Sequence, residues 1–172
     1  IRPLLRLSRR ELRAYLDDAG IAYREDETNR SNEPMRNRLR NVVMPLIEAD
    51  VNPQVRDALL RLAEQAAWHD EFLQETARRT FEQVVISRTE RTLVLDALAL
   101  RRESRIVQTE LVRLAYTSFG LGEQDLAFTH LVSAVNLAAV PASGRQTQLP
   151  GQVRLEKRYD QLIFSLPGDA PR

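Results

Sequence analysis

"GRQTQLPGQVRLEKRYDQLIFSLPG", residues 144–168, decides the fold class. Val153, Leu155 and Lys157 recur at every second position, Leu162, Phe164 and Leu166 do the same, and Arg158-Tyr159-Asp160 between them suits a tight connection. A period of two puts alternate side chains on opposite faces of a strand, so the stretch predicts a β-hairpin near 149–166, with a third strand near 146–148. The residues upstream carry helical spacing almost throughout. The expected architecture is therefore mainly α with a small C-terminal β-hairpin or three-stranded sheet, an α+β protein.

Reading back towards the N-terminus, 141–144 is a loop, and a helix starting at Glu123 or Asp125 ends before Pro141. A further helix, about 100–119, carries Ile106, Leu111, Leu114 and Ala115 on its apolar side and stops at Gly120. Leu93 to Leu95, between polar flanks, predict a short strand. Asn52 as cap and Pro53 at the first position open a long amphipathic helix with Val55, Leu59, Leu62, Ala66, Leu73, Ala77 and Val84 at helical spacing. Ser8 and Glu11 form a capping box for a helix over 8–20, which Gly20 ends in the left-handed conformation. An extended segment, 21–26, and a polar turn, 27–32, follow. Pro34 suits the first position of a helix over 34–48, which Pro45 kinks or splits.

Of the 172 residues, 43% are hydrophobic and 28% charged, a globular profile, and the formal net charge is only +1. Affinity for an acidic partner must then come from local patches. Lys157 is the single lysine among 25 basic residues; this arginine bias reflects base composition or phosphate contacts. The absence of cysteine excludes disulfides, thiolate metal sites and a cysteine nucleophile, and fits a reducing, cytoplasmic setting. His69 and His130 have no second histidine at ligand spacing, so no metal site is expected. No apolar run approaches the ~20 residues of a membrane span.

The stretch "EDETNRSNEPMRNRLRN", residues 25–41, poses a charge problem, because three arginines follow the turn into the helix. Arg36 and Arg40 are four apart and share a face with Asn37 beside them. A like-charge pair costs about 0.2–0.5 kcal/mol and a cation in the first turn opposes the helix dipole by about 0.3–1 kcal/mol. Something anionic should offset this. Either Asp26 clasps Arg36 or Arg40 while the Asn29 amide ties down the turn, or an external phosphate meets the guanidinium forks; the two are compatible.

"RPLL" at 2–5, "RREL" at 9–12, "EDETN" at 25–29, "RNRLRN" at 36–41 and "MPLIE" at 44–48 come in the order and spacing of bacterial tRNA(Ile)-lysidine synthetases, and the chain resembles that family. The likeness is close over 2–48 and looser through to "LPGQVRLEKRYDQLIFSL", which resembles the hairpin closing the family's first C-terminal domain. The resemblance implies a PP-loop ATP pyrophosphatase that adenylates the wobble cytidine of the CAU-anticodon isoleucine tRNA, after which free L-lysine displaces AMP. On that basis residues 1–50 would end the catalytic domain and 51–172 would form a helical domain closing with the hairpin. Asp26, Thr28, Asn29 and Asn37 match the family's substrate-binding pattern, with Arg36 and Arg40 bordering the active site.

The same resemblance makes tRNA backbone binding the expectation for Arg101, Arg102, Arg105, Arg113, Arg154, Lys157 and Arg158, which would otherwise be solvated charges. Trp68 and Tyr116 could stack on bases, but their helical core spacing reads as burial. The Ser-Gly-Gly-x-Asp-Ser loop of the family is absent from these residues. The expectation is thus a fragment of a longer enzyme that uses ATP and Mg2+, neither bound tightly here, and that cannot activate ATP alone. A homodimer stays open. So do a helical protein-interaction module with no nucleic-acid role and a related PP-loop enzyme acting on another tRNA base or a small amide substrate.

Overall fold

The computed structural model describes residue 4 and residues 7–24 and 33–168. Contacts divide the chain into two units, Ile1–Leu62 and Ala63–Arg172. The dividing point falls inside one long helix.

In the first unit, α1 spans Arg9–Asp18 and has both halves of the expected capping box: the Ser8 hydroxyl accepts the Glu11 N–H at 3.2 Å and the Glu11 carboxylate accepts the Ser8 N–H at 2.7 Å. Gly20, at φ +66°, lets the Ile21 N–H turn back to the Leu16 carbonyl at 2.9 Å, which closes the helix end. The expected extended segment forms no strand over 21–24, and its last two residues and the polar turn lie outside the described residues.

The next helix is expected over 34–48 and occurs as three consecutive pieces: α2 (Met35–Arg38), a π-helical turn (Leu39–Val43) and α3 (Met44–Asp50). Pro34 serves as the cap instead of the first helical residue, with ψ 133° and its carbonyl accepting the N–H groups of Asn37 and Arg38. Pro45 explains the π turn. It has no N–H for the Asn41 carbonyl, and its ring crowds that carbonyl, so the backbone widens just upstream, where the Met44 N–H reaches five residues back to Leu39. No residue of these pieces is buried.

Asn52 accepts the Gln54 N–H on its side chain at 2.9 Å, as an N-cap should, and α4 runs Val55–Val84. Within the second unit, the end of this helix buries Ala77, Phe81 and Val84. The β-branched run Val84-Val85-Ile86 then converts the chain to β1 (Val85–Arg88), a strand the helical pattern concealed. β2 (Thr92–Asp96), β3 (Arg145–Gln148), β4 (Arg154–Arg158) and β5 (Gln161–Ser165) complete a five-stranded antiparallel sheet ordered β1-β2-β5-β4-β3. The hairpin and third strand stand as expected, and pairing with β1 and β2 enlarges the sheet.

Asp96 ends β2 and caps α5 (Ala97–Arg102), its carboxylate accepting the Leu98 and Ala99 N–H groups at 2.8 and 3.0 Å. The single helix expected over 100–119 is two, because Glu103 and Ser104 are extended before α6 (Arg105–Thr117) begins. The Gln108 amide closes that corner by donating to the Glu103 carbonyl at 2.8 Å. α7 (Phe128–Ala139) starts later than Glu123 or Asp125, whose carbonyls are used in a turn before it. His130 lends the new start half a capping box, its Nδ1 accepting the Ala127 N–H at 3.1 Å.

α5 and α7 lie on one face of the sheet, and α6 packs against both. Register aligns Leu93, Phe164 and Leu155 in one row and Leu95, Leu162 and Lys157 in the next, and their apolar side chains join Leu100, Leu111, Tyr116 and Leu131 in the core. Fully burying a side chain such as Phe164 is worth about 1.5–3 kcal/mol. The opposite face carries Val94, Ile163, Glu156 and Gln146 in one row and Thr92, Ser165, Arg154 and Gln148 in another.

Candidate nucleic-acid interface

Arg36, Arg38 and Arg40 are all exposed, and none has an ion-pair partner among the described residues. Asn37 is half-buried and engaged. Asp26, Thr28 and Asn29 lie outside the described residues, so the clasp itself is not on view. α2 has no acidic residue in its first turn and no side-chain cap. Three guanidinium groups therefore stand on one short stretch of backbone with their charge uncancelled by any described neighbour.

In the second unit, Arg101 and Arg102 are exposed in the last turn of α5, where a cation suits the helix dipole. Arg105 opens α6 across the same corner and donates to Asn136 Oδ1 at 2.7 Å, which aims its side chain without neutralising it. These three share one corner of the fold.

Arg113 does not join them. It meets Glu110 at 3.1 Å and Glu123 at 2.7 Å in a polar cleft shared with Asp70, Gln74 and Arg78. Partial burial pulls its guanidinium down, while the Glu123 hydrogen bond and the charges of both acids more than restore it, so the group stays above its ordinary value. One cation thus stands between two carboxylates. Lys157 is 4% exposed on the core side of β4, opposite Leu162 and Arg145, because the alternation that buries Leu155 carries it to the same face.

Arg154 and Arg158 lie on the outer face of β4 with Glu156 between them, at 3.7 and 3.1 Å. Two guanidinium groups share one carboxylate, which leaves one positive charge. Tyr116 is buried as its spacing suggests, and burial, with the nearby Asp125 charge, raises its phenol. Trp68 departs from its spacing. It is 62% exposed, and Phe72 one turn on is 69% exposed, because among the described residues nothing covers this part of α4 and the buried residues of the helix begin further along at Ala77.

His69 is exposed, and among the described residues no three histidine, cysteine, aspartate or glutamate side chains converge as metal ligands would. No helix among the described residues is long and apolar enough to cross a membrane.

Residues 1–47 match the family model of a PP-loop domain. Over 95% of its length the chain is 31% identical to the tRNA(Ile)-lysidine synthase of Dehalococcoides mccartyi. The chain is a relative of the tRNA(Ile)-lysidine synthases. The enzymes of that name from Solibacter usitatus and Geobacter sulfurreducens are 30% and 29% identical over 97% and 96% of the chain. The chain spans 34–38% of the length of these three lysidine synthases, about a third. The matched PP-loop segment contains the three exposed arginines; the synthase likeness extends over the sheet and helices of the second unit.

Proposed function

We propose that this chain works within a tRNA(Ile)-lysidine synthase, in which residues 1–50 end the PP-loop catalytic domain and 51–172 bind tRNA. The reaction would join the α-phosphate of ATP to the wobble cytidine of the CAU-anticodon tRNA with release of pyrophosphate. The amine of L-lysine would then displace AMP. Charge builds on the α-phosphate as AMP transfers, and Arg36 or Arg40, supported by Asp26, Thr28, Asn29 and Asn37, would offset it. The carrying observation is the exposure of Arg36, Arg38 and Arg40, which no described residue neutralises, inside the segment that matches the PP-loop model. With no Ser-Gly-Gly-x-Asp-Ser loop in its 172 residues, the chain is inactive in ATP cleavage by itself. It works in the cytoplasm, where tRNA is.

Phosphate contacts set position and weaken with salt. A filter-binding titration of the chain against a tRNA(Ile) transcript with a CAU anticodon is expected to show a steep fall in affinity between 50 and 200 mM salt. Arg102→Ala with Arg105→Ala should weaken binding about tenfold, the loss of roughly 1.4 kcal/mol. Wild-type-like affinity in the double variant would remove the α5–α6 corner from the interface. Absence of salt-sensitive binding would overturn the reading. The exposed Trp68 and Phe72 of α4 favour a second reading, a protein-interaction surface, which predicts a protein recovered by pulldown and no tRNA retained at low salt.

A further inference from the structure

The outer face of the sheet holds a cleft of about 550 Å³ that the arginine patches do not account for. Gln146 and Gln148, on the edge strand β3, and Arg154, on β4, line it, with Leu166 and Pro167 forming an apolar wall. Gln152 closes it from the turn before β4. Three amides and one guanidinium meet there, and no carboxylate is among the lining residues.

The turn that supplies Gln152 is built at a cost. Gly151 and Gln152 are both left-handed, at φ +66° and +61°, and the second is a conformation that few side chains other than Asn or Asp adopt. The turn is held by the Leu149 N–H on the Val153 carbonyl at 2.8 Å, and Leu149 and Val153 are both buried. The backbone therefore fixes an amide at the mouth of the cleft where glycine would fit with less strain.

The chemistry of the lining selects among ligands. An anion alone presents only acceptors, and three carboxamides, each half donor and half acceptor, are a poor match for it. A base edge offers donors and acceptors together, and glutamine pairs with it in two-point hydrogen bonds. Arg154 shares Glu156 with Arg158, so it keeps charge for a phosphate. The volume lies in the ordinary range for small-ligand sites, roughly 300–1,000 Å³. We propose that this cleft holds one unstacked nucleotide of an RNA strand, with its phosphate on Arg154, its base edge on Gln146, Gln148 and Gln152, and its base face against Leu166 and Pro167. This rests on the RNA-binding reading above and adds base preference to what backbone contacts alone would give.

Fluorescence anisotropy with labelled 12-nucleotide oligomers of rA, rC and rU, bound to the full chain, tests it. Wild type is expected to prefer one oligomer by fivefold or more. Gln152→Gly, which suits the left-handed backbone and should fold at least as stably by thermal melting, is expected to cut that preference to under twofold. Gln146→Ala with Gln148→Ala should do the same, and Arg154→Ala should weaken all three oligomers and flatten their salt dependence. An RNA affinity that persists with no base preference, or a preference untouched by the glutamine variants, overturns the cleft and leaves the RNA-binding reading standing. Failure of the chain to bind either these oligomers or the tRNA transcript overturns both.

Discussion

Lys157 shows how charge and phase can point one side chain to different places. Its position two after Leu155 already puts it on the apolar side of β4, and the structure leaves it 4% exposed, with no ion pair among the described residues. Its stem is covered while its ammonium meets no carboxylate among the described residues, and a thioether chain of similar length fits the same space. Lys157→Met is therefore expected to raise stability by about 0.5–1 kcal/mol in urea unfolding. Its tRNA affinity should stay within twofold of wild type; a large loss of binding with unchanged stability would put the ammonium back in the interface. Arg113 was unreadable for a different reason. Its spacing says nothing about Glu123, which reaches it from beyond the end of α6.

At the level of elements, the clearest signals were local ones. Ser8 with Glu11, and the alternation over 153–166, need no distant partner to act, and both produced the expected structure. What depended on partners was hidden: β1 becomes a strand by pairing with β2, and the break at Glu103-Ser104 is secured by Gln108 from the following helix. The capping box also has a pH signature. Hydrogen bonds from Ser8 hold the Glu11 carboxyl below its ordinary value, so its contribution is present above about pH 4.3 and is lost as pH falls through the lowered value. Amide exchange at Ser8 and Glu11 should accelerate below that pH relative to a control at Val112. Glu11→Gln keeps an uncharged acceptor and should flatten the response. An unchanged pH dependence in that variant would mean that another group titrates.

Across the whole molecule, burial is distributed unevenly. The core from Phe81 to Phe164 lies in the second unit, while no described residue of the first is buried. Exposure of Leu59, Leu62 and Trp68 was not legible because a helical stripe records only the face that could be covered. Limited trypsin digestion is expected to cut first at Arg36, Arg38, Arg40 or Arg61 and to leave a resistant product ending near Arg158 or beyond. Early cleavage at Arg88, Arg102 or Arg113 would contradict that division of stability.

The two rims of the sheet carry a consequence for solubility. Each outermost strand is four residues long; β1 is bulged between Val85 and Ser87, and β3 reads Arg-Gln-Thr-Gln with no apolar side chain. Short, irregular or polar margins are poor templates for another chain to extend by hydrogen bonding. Concentrated samples should therefore resist fibril growth of the cross-β kind, and self-association should proceed through the bare helical surfaces.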